Sequence, residues 1–136
     1  MQGSYILVIV VDDELNIPIG KLGNLIFKKG IYCYIGSAMG KIGSSTLENR
    51  IKRHIRFPQQ KNKHWHIDYL LENKKVSLFK LFLIPHTQKL ECMLAQEFLS
   101  ISDGYVERFG SSDCLCKTHL TYFKHLGCNL LKEFIQ

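Results

Sequence analysis

Arg50 and His54 stand four residues apart in a segment with helical spacing, so their side chains share one face. A guanidinium placed there offers a fixed fork of donors that suits a phosphate. Upstream, Tyr34-Ile35-Gly36 closes an apolar run rich in β-formers. Tyr32 and Tyr34 have only Cys33 between them, so they lie on one strand and on the same face of it. Lys61 and Lys63, in a polar basic loop from Gln59 to Lys63, and His64 just after it would supply phosphate contacts. Farther on, Cys114, Cys116 and His119 are close enough to share a soft metal, with Cys92 as a fourth donor. Their cysteine gap of one residue is tighter than the two to four usual in zinc sites. The alternative is a tight loop with small buried thiols, capped by Ser112 and Asp113. Cys33 and Cys128 read as packing residues.

These residues need elements to hold them. Ser4 to Val11 reads as a buried strand, Leu15 to Ile19 and Asn24 to Phe27 as two more, and Ile31 to Ile35 as a fourth ending at Gly36. The Gly- and Ser-rich stretch from Ser37 to Ser45 is a loop. Ser45 or Thr46 then caps the helix that carries Arg50 and His54, and Pro58 ends it. His64 to Leu71 is a short helix, Val76 to Ile84 a strand closed by Pro85, and Gln88 to Ile101 a helix. Asp103-Gly104 is a turn, and a last helix is expected from about Phe123 to Phe134. Strands first, then helix, strand and helix, predict an α+β fold with a small, mainly antiparallel sheet flanked by helices.

The balance of the chain is basic. Among 136 residues, 18 Lys and Arg face 12 Asp and Glu, a formal charge of +6, which favours a polyanionic partner. Hydrophobic residues at 46% and charged residues at 22% exclude a disordered or fibrous chain. No run approaches the ~20 apolar residues of a spanning helix, and no signal-peptide pattern precedes Asp12-Asp13. Five scattered cysteines do not form a secreted disulfide framework. A cytoplasmic protein without a membrane partner is expected.

The order Tyr34-Ile35-Gly36, then Arg50-Ile51-Lys52-Arg53-His54, then a glutamate on a later helix resembles the GIY-YIG nuclease superfamily. The string Gly30-Ile31-Tyr32 spells the first motif literally, yet one residue cannot turn the chain back before Tyr34. Gly3-Ser4-Tyr5, opening the first strand, takes that place. The intervening Leu15 to Phe27 hairpin is longer than the superfamily's usual linker. That insertion, with Trp65 to Leu70, Glu91-Cys92 and Ser112 to Leu120, is similar to a small branch of GIY-YIG-like proteins, some fused to endonuclease III. The resemblance implies one domain over residues 1–136. It has a nuclease-like core over about 1–101 and a Cys/His extension over about 102–136.

The resemblance also implies roles. Tyr5 is the general base, Tyr34 orients water or phosphate, Arg50 binds phosphate and His54 positions the nucleophile. Glu91 holds one Mg²⁺ or Mn²⁺; Glu97 is the alternative. Gly36, Lys52, Arg53, Lys61, Lys63 and His64 form the nucleic-acid surface, with DNA favoured over RNA. A structural Zn²⁺ on Cys114, Cys116 and His119 is a second, separate metal option. The expected activity is phosphodiester hydrolysis, with a dimer or a repair-enzyme partner as further options. Competing functions are a non-catalytic nucleic-acid-binding module and an interaction domain of a repair system. A third pattern, His64-x-His66-x-Asp68, is similar to the two-metal motif of metallo-β-lactamase-type hydrolases. Tyr69 stands where that motif needs His, and the chain is too short for that fold.

Overall fold

A computed structural model describes residues 1–56, 63, 65–88, 90–111 and 116–125. Lys61, His64, Cys114, Cys128 and nearly all of the helix expected from Phe123 to Phe134 lie outside the described residues.

The architecture is α+β. Strands β1 (Gly3–Val11), β4 (Gly30–Ala38), β5 (Val76–Pro85), β6 (Gly104–Tyr105) and β7 (Leu120–Phe123) form one antiparallel sheet in the order β5-β1-β4-β7-β6. Strands β2 (Leu15–Pro18) and β3 (Asn24–Phe27) make a separate hairpin. Helices α1 (Leu47–Ile55), α2 (His66–Leu71) and α3 (Glu91–Ile101) complete the set. Tyr32 and Tyr34 share β4, so the literal Gly30-Ile31-Tyr32 string does not open a separate strand. Phe123 ends β7, and a helix does not begin there. The segment after Ile101 contributes β6 and β7 to the main sheet.

β1 is nearly continuous in apolar residues because both of its faces are covered. Tyr5, Leu7, Ile9 and Val11 pack with Leu47 and Ile51 of α1 and Ile67 and Leu70 of α2. Ile6 and Val8 pack with Leu94, Ala95 and Phe98 of α3, joined by Cys33 and Ile35 of β4. Side chains alternate across a strand, so successive residues of β1 serve two cores.

Thr46 caps α1: its side-chain oxygen accepts a hydrogen bond from Asn49 N at 3.3 Å. Leu47 N donates to Met1 O at 2.8 Å, which ties the start of α1 to the start of β1. Lys52 and Arg53 lie in the last turn, where cations interact favourably with the helix dipole.

The turn after β6 is pinned to α2. Gly110 N donates to His66 Nδ1 at 2.9 Å, and burial holds the His66 imidazole below its ordinary value. The bond needs an unprotonated Nδ1. Between the unfolded value of about 6.5 and the lower folded one, the unfolded chain binds more protons than the folded chain. The His66 contribution is therefore present above that range and is lost as the pH falls through it. Thermal melting from about pH 7 to about pH 5 should show a falling midpoint, with a shallower fall in His66→Gln. Identical slopes would assign the whole effect to other groups.

Candidate active site

The first turn of the site is made by two strands and a glycine. Tyr5 of β1 stands opposite Gly36 of β4 in the register. A Cβ at position 36 would strike Cζ and Oη of the Tyr5 ring, so only glycine lets the phenol cross β4. The phenol then meets α1: Tyr5 Oη and His54 Nε2 share a hydrogen bond of 2.8 Å. Both groups are interior, at 2% and 3% exposure. Tyr34 closes the cluster, with ring centroids 6.5 Å from Tyr5 and 6.4 Å from His54.

Gly36→Ala is the sharpest test of this packing. The methyl should push the phenol off His54 and destabilise the fold by about 1–3 kcal/mol, as overpacking does. Urea denaturation reads the loss. An unchanged midpoint would mean that the ring can move aside without cost.

Arg50 lies on the same face of α1. Its Nη1 donates to the Ser37 carbonyl at 3.2 Å, while its Nε is buried without a hydrogen bond among the described residues. Its guanidinium carbon sits 4.5 Å from the Trp65 ring centroid, and that of Arg53 sits 4.2 Å from the same ring. Trp65 is thus an aromatic platform for two cations. Arg53 is fixed further by a bidentate pair to Asp68, at 2.7 and 2.8 Å. The Asp68 carboxylate also accepts from Trp65 N at 2.9 Å. Fully buried Asp68 and pinned His66 are committed to holding the structure, which leaves little for a His-x-His-x-Asp metal pair.

The charges around the phenols oppose one another. Burial pushes the Tyr5 phenol far above its ordinary value; the Arg50 guanidinium beside it pulls down, and the Glu91 carboxylate pushes up. Tyr34 is also raised, first by burial and then by Tyr5 and Glu91. Glu91 opens α3, where the helix dipole favours a carboxylate. Its Oε1 lies 4.0 Å from His119 Nδ1, and its side chain is 16% exposed. On the far side of that imidazole, His119 Nε2 lies 3.9 Å from Cys92 Sγ. Cys92 and Cys116 are at disulfide distance, a pairing that the scattered cysteines did not announce. Among the described residues Cys33 is a free cysteine buried in the core, and burial pushes its thiol up to about 12.

Tyr5, Tyr34, Arg50 and His54 come together, and Glu91 acts on both phenols from the start of α3. The proposed nucleic-acid residues are more dispersed. Lys52 is exposed on α1, Lys63 pairs with Glu72 at 3.1 Å, and Arg53 is held by Asp68. Gly36 has a packing reason in the Tyr5 ring. Sequence reasoning did not find Gly110, whose φ of +73° suits glycine, and where a Cβ would lie 2.9 Å from Tyr34 Cε1. Its place in Phe109-Gly110-Ser111 was the available signal.

The family model described as "Domain of unknown function DUF123" matches residues 4–136. The chain belongs to the DUF123 family. The DUF123 match takes in both ends of the site, from Tyr5 on β1 to His119 beside β7. No curated protein and no solved structure matches this DUF123 chain. Among its described residues, no helix is long and apolar enough to cross a membrane.

Proposed function

We infer that this DUF123 protein is a divalent-metal-dependent endonuclease of the GIY-YIG type, acting on nucleic acid and on DNA before RNA. The observation that supports this reading is the 2.8 Å hydrogen bond between Tyr5 Oη and His54 Nε2, beside Tyr34 and the Arg50 guanidinium that acts on the same phenol. A raised phenol does not lose its proton unaided. His54 Nε2 gives that proton a place to go. The attacking water transfers its proton to Tyr5 Oη as the phenolic proton passes to His54. The water oxygen bonds to phosphorus as the bond to the leaving sugar oxygen breaks, and that oxygen takes up a proton from solvent water to leave as the alcohol. Arg50 neutralises the charge that gathers on the phosphate oxygens.

Glu91 fits a hard cation. It is an oxygen donor whose charge both phenols feel, and Mg²⁺ is commonly held by one or two carboxylates, with waters and substrate phosphate completing its shell. When bound, such a metal supplies Lewis-acid charge to the scissile phosphate.

The burial of Tyr5 and His54 favours a second reading, a nucleic-acid-binding module that cuts nothing, because a base must reach water. One assay separates the two. Labelled duplex, single-stranded and branched DNA and structured RNA are presented to the protein and to Glu91→Ala, with Mg²⁺, Mn²⁺ or EDTA. The nuclease predicts metal-dependent cutting that Glu91→Ala abolishes, with circular dichroism unchanged. The module predicts binding that weakens steeply with salt and no cutting in any lane. Salt-insensitive binding would exclude phosphate contacts as the main source of affinity in either reading.

A further inference from the structure

The cluster behind Glu91 carries chemistry of a different kind. Cys92 Sγ, Cys116 Sγ and a ring nitrogen of His119 all lie within 4.8 Å of one another. We propose that the reduced thiols of Cys92 and Cys116, together with His119 Nε2, bind one zinc ion, and that Glu91 orients the imidazole from its other side.

Two sulfurs and an imidazole nitrogen are a soft donor set, unlike the oxygen ligands that Mg²⁺ requires. Tetrahedral zinc has Zn–S of about 2.3 Å and Zn–N of about 2.0–2.1 Å, which places neighbouring donors about 3.5–3.8 Å apart. The 3.9 Å between Cys92 Sγ and His119 Nε2 is within a few tenths of an ångström of that spacing. The Cys92 and Cys116 Cα atoms are 6.1 Å apart, so rotation about the Cα–Cβ bonds parts the sulfurs far enough without moving the backbone.

The second observation is the way the imidazole is presented. His119 turns Nε2 to the sulfurs and Nδ1 toward Glu91 Oε1, which lies 4.0 Å away, beyond hydrogen-bond length but within reach of a small side-chain rotation. Metal-binding histidines are characteristically oriented by a carboxylate on the opposite nitrogen. Cys116 and His119 are interior, and Cys92 sits in the first turn of α3, where the helix dipole favours a thiolate. Each thiol releases a proton as the cation binds. The disulfide pairing and the metal-bound pairing are alternative states of the same two sulfurs. Cys92, read in the sequence as a fourth donor, stands here with Cys116 and His119 among the described residues; Cys114 lies outside them. The inference does not rest on the nuclease reading; its readout is metal binding alone.

The test uses the full chain, reduced with a phosphine under anaerobic conditions, stripped with a chelator and titrated with Co²⁺. The expected result is a thiolate-to-cobalt charge-transfer band and tetrahedral visible absorption, both erased by added Zn²⁺. Cys92→Ser and Cys116→Ser should each lose most of the charge-transfer intensity, whereas Cys33→Ala should keep it. Glu91→Gln should retain the band and weaken affinity about 10–100-fold. The unmodified chain decides the matter even if a variant fails to fold. Fully reduced protein with titratable thiols and no charge-transfer band overturns the proposal. So does a band that survives in folded Cys92→Ser and Cys116→Ser.

Discussion

Tyr5→Phe should lower the single-turnover cleavage rate by about 10²–10⁴-fold and leave nucleic-acid affinity nearly unchanged. Phenylalanine keeps the ring that lies over Gly36 and removes only the oxygen bonded to His54 Nε2. The fold should survive, because one buried hydrogen bond contributes about 1 kcal/mol. Tyr34→Phe makes a useful contrast. Tyr34 lies 6.4 Å from the His54 ring by centroid, without the direct bond that Tyr5 makes. Its hydroxyl can orient water or phosphate, but the relay to His54 does not pass through it. A smaller loss is expected there. Wild-type cutting by Tyr5→Phe would remove the phenol from the proton path and end the mechanism proposed for it.

The largest stability loss should come from Asp68→Asn. The carboxylate is fully buried and holds both terminal guanidinium nitrogens of Arg53, which is 19% exposed, and the main-chain N–H of Trp65. Removing one partner of such a pair leaves a charge in a poorly solvated place, at a cost of about 3–5 kcal/mol. Residual exposure of Arg53 puts the expected value near the lower end. Urea unfolding measures it directly. Adding Arg53→Met to Asp68→Asn should recover part of the loss, since the stranded charge is then gone. If the double variant is less stable than Asp68→Asn, the cations' stacking on Trp65 matters more than the ion pair. The effect should also reach the site, because the same ring supports Arg50.

Patterns confined to neighbouring residues were readable. The β1 apolar run, a cap at Ser45 or Thr46 (the structure uses Thr46), the Arg50–His54 spacing and the placement of Tyr32 and Tyr34 on one strand all follow from local sterics and periodicity. β6 and β7 were not, because two and four residues carry too little pattern to outweigh the loops around them. Their strand conformation comes from pairing with each other and with β4, a non-local fact. The same limit explains Arg53. Its sequence neighbours suggest a phosphate contact, whereas its partner lies 15 residues away. Cys92 and Cys116, separated by 24 residues, meet only because α3 and the segment before β7 pack at one end of the sheet. Within the candidate site, order along the chain identified the four residues that converge. It did not disclose that the pair at the centre would be interior.

The strand order gives the site a history during synthesis. β1, β4 and α1 all lie within the first 55 residues, so the Tyr5–His54 pair can assemble from an early fragment. β5, the other neighbour of β1, arrives only with Val76–Pro85, and Glu91 follows it. Until then a growing chain carries β1 with one side unpaired, an apolar edge open to mispairing with other nascent chains. Closing so long a loop is also slow. The ribosome thus delivers the phenol and imidazole first, and the carboxylate reaches them only after the exposed edge of β1 has been covered.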